Sequence, residues 1–156
     1  GRSLRVDYAR FLKTALSIKP LPPLGKSGIT AQERSRRGDF MSGFLTTHVL
    51  DTARGLPARG MQVVLFRLSP AREEIARMVT NDDGRTDAHI LPAGDFATGT
   101  YELEFHAGAW MDASGVAPES PRFLDVIPIR FGMSQNDHYH VPLLVSPFGY
   151  STYRGS

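Results

Sequence analysis

From Gly43 onward, apolar and polar residues alternate with period two, the pattern of strands that bury one face. In a first strand over 43–51, Leu45, Thr47 and Val49 share one face, and Thr46, His48 and Leu50 share the other. The stretch from Asp51 to Gly60 carries turn chemistry at Gly55, Pro57 and Gly60. A second strand, Met61 to Leu68, is rich in Val, Leu and Phe. Residues 70–75 could open a helix, but Ile75 to Thr80 read better as a third strand. Asn81-Asp-Asp-Gly84 is a strong turn signal, because Asn, Asp and Gly all tolerate left-handed backbone. A short strand is predicted around His89 to Leu91. Gly99 to His106 alternates cleanly, with Tyr101, Leu103 and Phe105 inward and Glu102 and Glu104 outward. Ala107 to Ala113, which holds the sole tryptophan, Trp110, predicts one or two helical turns. Phe123 to Phe131, His138 to Ser146 and Phe148 to Tyr153 complete the set. Seven or eight short strands with one brief helix and no internal repeat predict an all-β chain folded as a β-sandwich.

The residues before Gly43 differ in kind. Residues 1–42 hold nine Lys and Arg against three Asp and Glu, whereas residues 43–156 hold the other nine against thirteen. Lys13, Lys19 and Lys26, all the lysines of the chain, lie in the first part, and all five histidines in the second. This break predicts a boundary: a basic, disordered extension over 1–42 and a folded domain over 43–156. Met41 stands directly before the patterned region and is expected to lie near the start of the folded unit. Within the extension, Leu4, Tyr8, Phe11 and Leu12 recur at helical spacing until Pro20, Pro22 and Pro23. A basic arm can bind nucleic acid or an anionic membrane. This one lacks a dense Lys/Arg run or interleaved aromatics, so neither partner is expected. It also lacks the apolar centre of a secretory signal, so a cytoplasmic protein is expected, with a targeting role for the extension as the alternative.

At 156 residues and 41% hydrophobic, the chain suits one ordinary domain. No run approaches eighteen apolar residues. The absence of cysteine removes disulfides, thiolate catalysis and Cys-based metal sites.

Candidate chemistry gathers at the C-terminal end. A domain usually spends its last residues on dull, frayed sequence, yet here the last nineteen carry His138, His140, Ser151, Tyr153 and Arg154. The end of the chain is therefore expected to line a site. On a strand, His138 and His140 share the face opposite Tyr139, Val141 and Leu143, and Pro142 marks an edge or a bulge. His48 lies opposite Leu45, Thr47 and Val49, and Arg85 projects from the corner after the Asn-Asp-Asp-Gly turn. Each taken alone reads as an ordinary polar residue: a surface histidine, a solvated turn arginine, turn-bonding Asp82, Asp83 and Asp87. Periodicity by itself does not bring His48, Arg85, His140 and Tyr153 into one pocket.

Four blocks in this order, Leu45-Thr-Thr-His-Val-Leu-Asp51, Thr80-Asn-Asp-Asp-Gly-Arg-Thr-Asp87, His138-Tyr-His-Val-Pro-Leu-Leu144 and Tyr153-Arg-Gly-Ser156, resemble the transthyretin-related 5-hydroxyisourate hydrolases. The likeness spans residues 43–156 and leaves the first forty without a counterpart. It implies a prealbumin-like sandwich of two four-stranded sheets, assembled as a homotetramer with active sites in the channel between dimers. It implies hydrolysis of 5-hydroxyisourate, the product of urate oxidation, to a ureidoimidazoline carboxylate, with neither cofactor nor metal. Carried over residue by residue, the catalytic set is His48, Arg85 and His140, and the substrate-binding set is His48, Arg85, Tyr153, Ser151 and Ser156.

That set suits the chemistry. A planar, electron-poor ring carbonyl must accept water, so the site needs a base, charge stabilisation and orientation. His48 is assigned as base, since a free imidazole titrates near 6.5. Arg85 beside it would disfavour imidazolium and offer a fork to substrate oxygens. His140 would donate to the oxyanion or protonate the leaving nitrogen, and Tyr153 would fix the ring. Two other readings stand beside this one: a hydrolytic zinc held by His48, His138 and His140, and a hormone carrier like transthyretin itself.

Overall fold

A strand that alternates apolar with polar can bury one face only, and most of the ten short strands in residues 43–155, the part that the computed structural model describes, bury side chains in one shared core. The readings made above for residues 1–42 and for Ser156 lie outside the described residues. The elements are β1 (Phe44–Thr46), β2 (Val49–Asp51), β3 (Leu56–Pro57), β4 (Gln62–Arg67), β5 (Glu73–Val79), β6 (Gly99–His106), α1 (Ala107–Ala113), β7 (Val126–Met133), β8 (His138–His140), β9 (Leu143–Ser146) and β10 (Gly149–Thr152).

One sheet has the order β10-β9-β2-β3 and the other β5-β4-β6-β7, with β1 and β8 forming a separate parallel pair. The expected two four-stranded sheets are thus accompanied by a third ladder, and the cause is local. The single strand predicted over 43–51 breaks at Thr47 and His48, where His48 leaves the ladder to pair with Arg85. Its partner breaks at Val141 and Pro142, and proline has no N–H to give. Hydrogen bonds still cross the gap: Val141 N–H to Thr46 O at 3.0 Å and Leu143 N–H to His48 O at 2.8 Å. The β1–β8 pair therefore continues the first sheet past a kink.

Leu45, Val49 and Leu143 from this side meet Leu65, Leu103 and Ile129 from the second sheet in the core. The second sheet is antiparallel, with Leu65 opposite Leu103 and Leu103 opposite Ile129. Tyr101, Leu103 and Phe105 face inward as expected. Glu102 does point to the outer face, but it is buried there rather than solvated. Arg72 and Arg130 reach its two carboxylate oxygens at 3.4 and 3.2 Å, and Arg72 also lies 3.6 Å over the Phe66 ring. Long cationic side chains here cover apolar surface with their stems and neutralise a carboxylate with their heads.

α1 forms where the sequence predicts it. Trp110 is buried and its indole N–H donates to Arg59 O at 2.9 Å, tying the helix to the loop between β3 and β4 by a bond worth about 1 kcal/mol. Elsewhere the reading is corrected. Residues 89–91 make no strand; a single bridge from Leu91 to Leu45 stands in place of a ladder. The helix considered for 70–75 is absent, because Glu73 and Glu74 already pair with Arg67 and Phe66 in β5. β7 starts at Val126 rather than Phe123, since Asp125 O is engaged by Gly108 N–H at 3.0 Å. No described helix is long and apolar enough to cross a membrane.

Candidate active site

The Asn81–Gly84 turn sets the site. Asn81 Oδ1 accepts from the N–H groups of Asp83 and Arg85 at 3.0 and 3.2 Å, and Gly84 N–H closes onto Asn81 O at 2.9 Å. Gly84 has φ of +72°, and a Cβ at this position would collide with the Val49 carbonyl. The bare turn can therefore dock on β2, where Val49 N–H donates to Gly84 O at 2.8 Å. That docking places Arg85 directly opposite His48.

His48 Nε2 lies 2.8 Å from Asp83 O. A carbonyl only accepts, so the imidazole donates from Nε2 and, when neutral, carries its lone pair on Nδ1. The pKa of His48 is lowered to about 4, by burial first and by the Arg85 cation second, against the opposing pull of Asp83. His140 is likewise lowered to about 4 by burial, then Arg85, then His48 and His138. Tyr153 is raised by burial, with Arg85 opposing. One guanidinium thus acts on both imidazoles and on the phenol, so the structure brings His48, Arg85, His140 and Tyr153 into one cluster.

Period two positions the β8 histidines. Tyr139 and Val141 are buried, whereas His138 and His140 face the opposite side and are half-buried. Behind them the chain end curls back after β10. Gly155 N–H donates to His140 O at 2.8 Å, and a Cβ on Gly155 would fall 2.9 Å from the imidazole Cδ2. Only a glycine lets the backbone approach that ring so closely. Arg154 points away from the cluster, pairing with Asp137 at 3.3 Å and lying 4.4 Å over Tyr139. Ser151 is exposed on β10, opposite Leu144 in register.

Chemically, the cluster offers two imidazoles that stay neutral at neutral pH, one fixed cation and a phenol. It can take a proton from water and stabilise a developing oxyanion. The zinc reading finds little support in the same geometry. His48 Nε2 is committed to a carbonyl, and His138 Nε2 and His140 Nδ1 both lie 2.8 Å from the Thr46 hydroxyl. Among the described residues, no three His, Asp or Glu side chains converge as metal ligands do. A cleft of about 710 Å³ between β5 and residues 87–95 contains none of the four clustered residues.

Three residues of the cluster's surround escape a reading of single positions: Thr46, the Asp83 carbonyl and Gly155. All three stand in the resembling blocks, and Thr46 also lies two residues before His48 on the same strand face.

Residues 45–155 match the model of the HIUase/Transthyretin family. The chain belongs to that family. Among its relatives, the 5-hydroxyisourate hydrolase 2 of Rhizobium meliloti is 56% identical over 117 residues, covering 74% of this chain and 98% of that protein. A crystal structure of (S)-allantoin synthase is 49% identical with a TM-score of 0.70; the match covers 73% of this chain and 44% of that longer one. Sea bream transthyretin in complex with thyroxine is 26% identical, with a TM-score of 0.63, over 72% of this chain and 95% of that one. The fold of this chain is thus similar to that of an (S)-allantoin synthase and of a transthyretin solved in complex with thyroxine.

Proposed function

We propose that this protein hydrolyses 5-hydroxyisourate, the product of urate oxidation, to a ureidoimidazoline carboxylate. The observation that carries the reading is the pair of imidazoles kept neutral by burial and by Arg85, joined to identity with a named hydrolase along nearly its whole length. His48 Nδ1 takes a proton from water as the oxygen adds to the ring amide carbonyl. The oxyanion that forms is held by Arg85 and by an N–H of His140. The C–N bond then breaks, and His48 returns its proton to the leaving nitrogen, so the imidazole ends neutral as it began. Tyr153, two residues beyond Ser151 at the end of β10, fixes the plane of the substrate, and Ser156 is assigned to substrate binding by the family resemblance alone. Neither metal nor cofactor enters this sequence of steps.

We assign the catalytic unit to residues 43–156, with 1–42 as an extension that turnover does not need. We also propose a homotetramer. Arg85 is exposed and His140 and Tyr153 are only half-buried, so one protomer presents an open site that a neighbouring copy would cover. The test is a spectrophotometric assay in which uricase generates 5-hydroxyisourate in place. Rapid decay of its absorbance is expected with the full chain and with a chain beginning at Met41, and in the presence of a strong chelator. A decay no faster than the uncatalysed one would remove the hydrolytic reading. Measurable thyroid-hormone affinity without turnover would favour a carrier.

A further inference from the structure

Thr46 Oγ1 lies 2.8 Å from His138 Nε2 and 2.8 Å from His140 Nδ1. A hydroxyl has a single proton, so it can donate to one of these nitrogens and must accept from the other if both contacts are hydrogen bonds. The order of donors along His138, Thr46 and His140 therefore decides which nitrogen of His140 holds the proton. We propose that His138 and Thr46 are positioning residues that hold His140 with its proton on Nε2, so that it meets the oxyanion with an N–H rather than a lone pair.

Two observations and one principle carry this. First, the donor chain is rigid. Parallel register sets Phe44 beside His138 and Thr46 beside His140. The Phe44 ring is sandwiched between His89 and His138, at 4.3 and 4.1 Å between centroids and 12° from parallel to each. Gly155 closes on the far side of His140. Rotation of His138 would break its stack on Phe44, and the His140 ring lies where a Cβ on Gly155 would collide with it. Second, the Asp83 carbonyl fixes the other imidazole the opposite way, with the lone pair of His48 on Nδ1. If Thr46 donated to His138, both imidazoles would offer lone pairs and the amide oxygen would meet only Arg85. If His138 donates to Thr46 and Thr46 to His140, the cluster holds one acceptor for water and one donor for the oxyanion. Third, an uncharged imidazole makes an effective electrophile when its N–H is aimed at a developing charge, and hydrogen bonds in series polarise one another. The inference rests on the hydrolytic reading above.

Thr46→Val removes the hydroxyl at nearly constant volume, Thr46→Ser keeps it, and His138→Phe keeps the stacked ring without its donor. Nitrogen NMR of histidine-labelled protein reports the tautomer of His140 without substrate. The wild-type protein and Thr46→Ser are expected to show the Nε2–H form. Thr46→Val and His138→Phe are expected to show a mixture with the Nδ1–H form. With it, kcat should fall about tenfold at nearly constant KM, less than the hundredfold or more that follows loss of the donor itself. Thr46→Ser should recover most of the loss. A Nδ1–H form in the wild-type protein, or an unchanged tautomer in Thr46→Val, would overturn the proposal. A wild-type chain that shows the Nε2–H form and leaves 5-hydroxyisourate intact would instead remove the hydrolytic reading, and the purpose given to the tautomer with it.

Discussion

His48 and His140 both titrate near 4, because burial and then Arg85 penalise their charged forms. A base works only while neutral, and a histidine is neutral above its pKa. Turnover should therefore stay level from neutral pH down to about 5 and fall through 4, where an unshifted imidazole would place the fall near 6.5. Replacing Arg85 by methionine removes the second cause and leaves burial in place. Its residual activity should show the acid limb moved toward 6.5 without reaching it, read from rate against pH with the substrate supplied fresh. A limb unchanged in that variant would mean that the arginine does not govern the imidazoles. His48→Ala and Arg85→Ala are each expected to lower kcat by about a hundredfold or more, the loss that follows removal of a base or of a charge stabiliser. Near-normal turnover in either would take that residue out of the mechanism. At this scale the sequence was informative about residue types and silent about their partners. His48, Arg85, His140 and Tyr153 stood in the resembling blocks, whereas the Asp83 carbonyl has no side-chain signature, because what it contributes is backbone.

The elements matter here through one docking event, the seating of the Asn81–Gly84 turn on β2. Gly84→Ala should break it twice over, by forcing a side chain to φ of +72° and by pressing a methyl group on the Val49 carbonyl. The expected cost is about 1–3 kcal/mol of stability, seen as a lower denaturation midpoint with an unchanged slope. Because the turn aims Arg85 at His48, kcat should fall with it; a stable but inactive variant and an unstable one would both fit, and a variant unaffected in either respect would not. Strands with plain alternation were legible: β6 and α1 occur at the predicted residues. The misses share a cause. Leu91 makes only one bridge, to Leu45, and the first strand breaks where His48 turns to Arg85, so in both places a single tertiary contact stands where the local period predicts a ladder. Glu102 looked solvated because a sequence does not reveal the two arginines that reach it from β7 and from the residues before β5.

For the whole molecule, the edges of the sandwich are where a second copy can add. β7 and β10 each end a sheet, which leaves a row of backbone donors and acceptors on each unused within the protomer. Exposed aromatics lie beside both: Phe123 just before β7 and Phe148 just before β10 are 68 and 69% exposed, and their rings meet at 6.1 Å. Tyr150, on β10 itself, is 47% exposed. Exposed aromatics beside unpaired edges are costly to leave in water and mark a surface for association. The proposed tetramer would use these edges, while the open cluster around Arg85 would be closed by a neighbouring copy. Phe148→Glu puts a charge into the patch without touching any residue assigned to chemistry. Sedimentation should show the wild-type chain as a species of four protomers and Phe148→Glu shifted toward smaller ones. If a neighbour completes the site, specific activity of the variant should fall on dilution in step with dissociation. A wild-type chain that sediments as one protomer at full activity would show that a single copy suffices and that these edges serve another purpose.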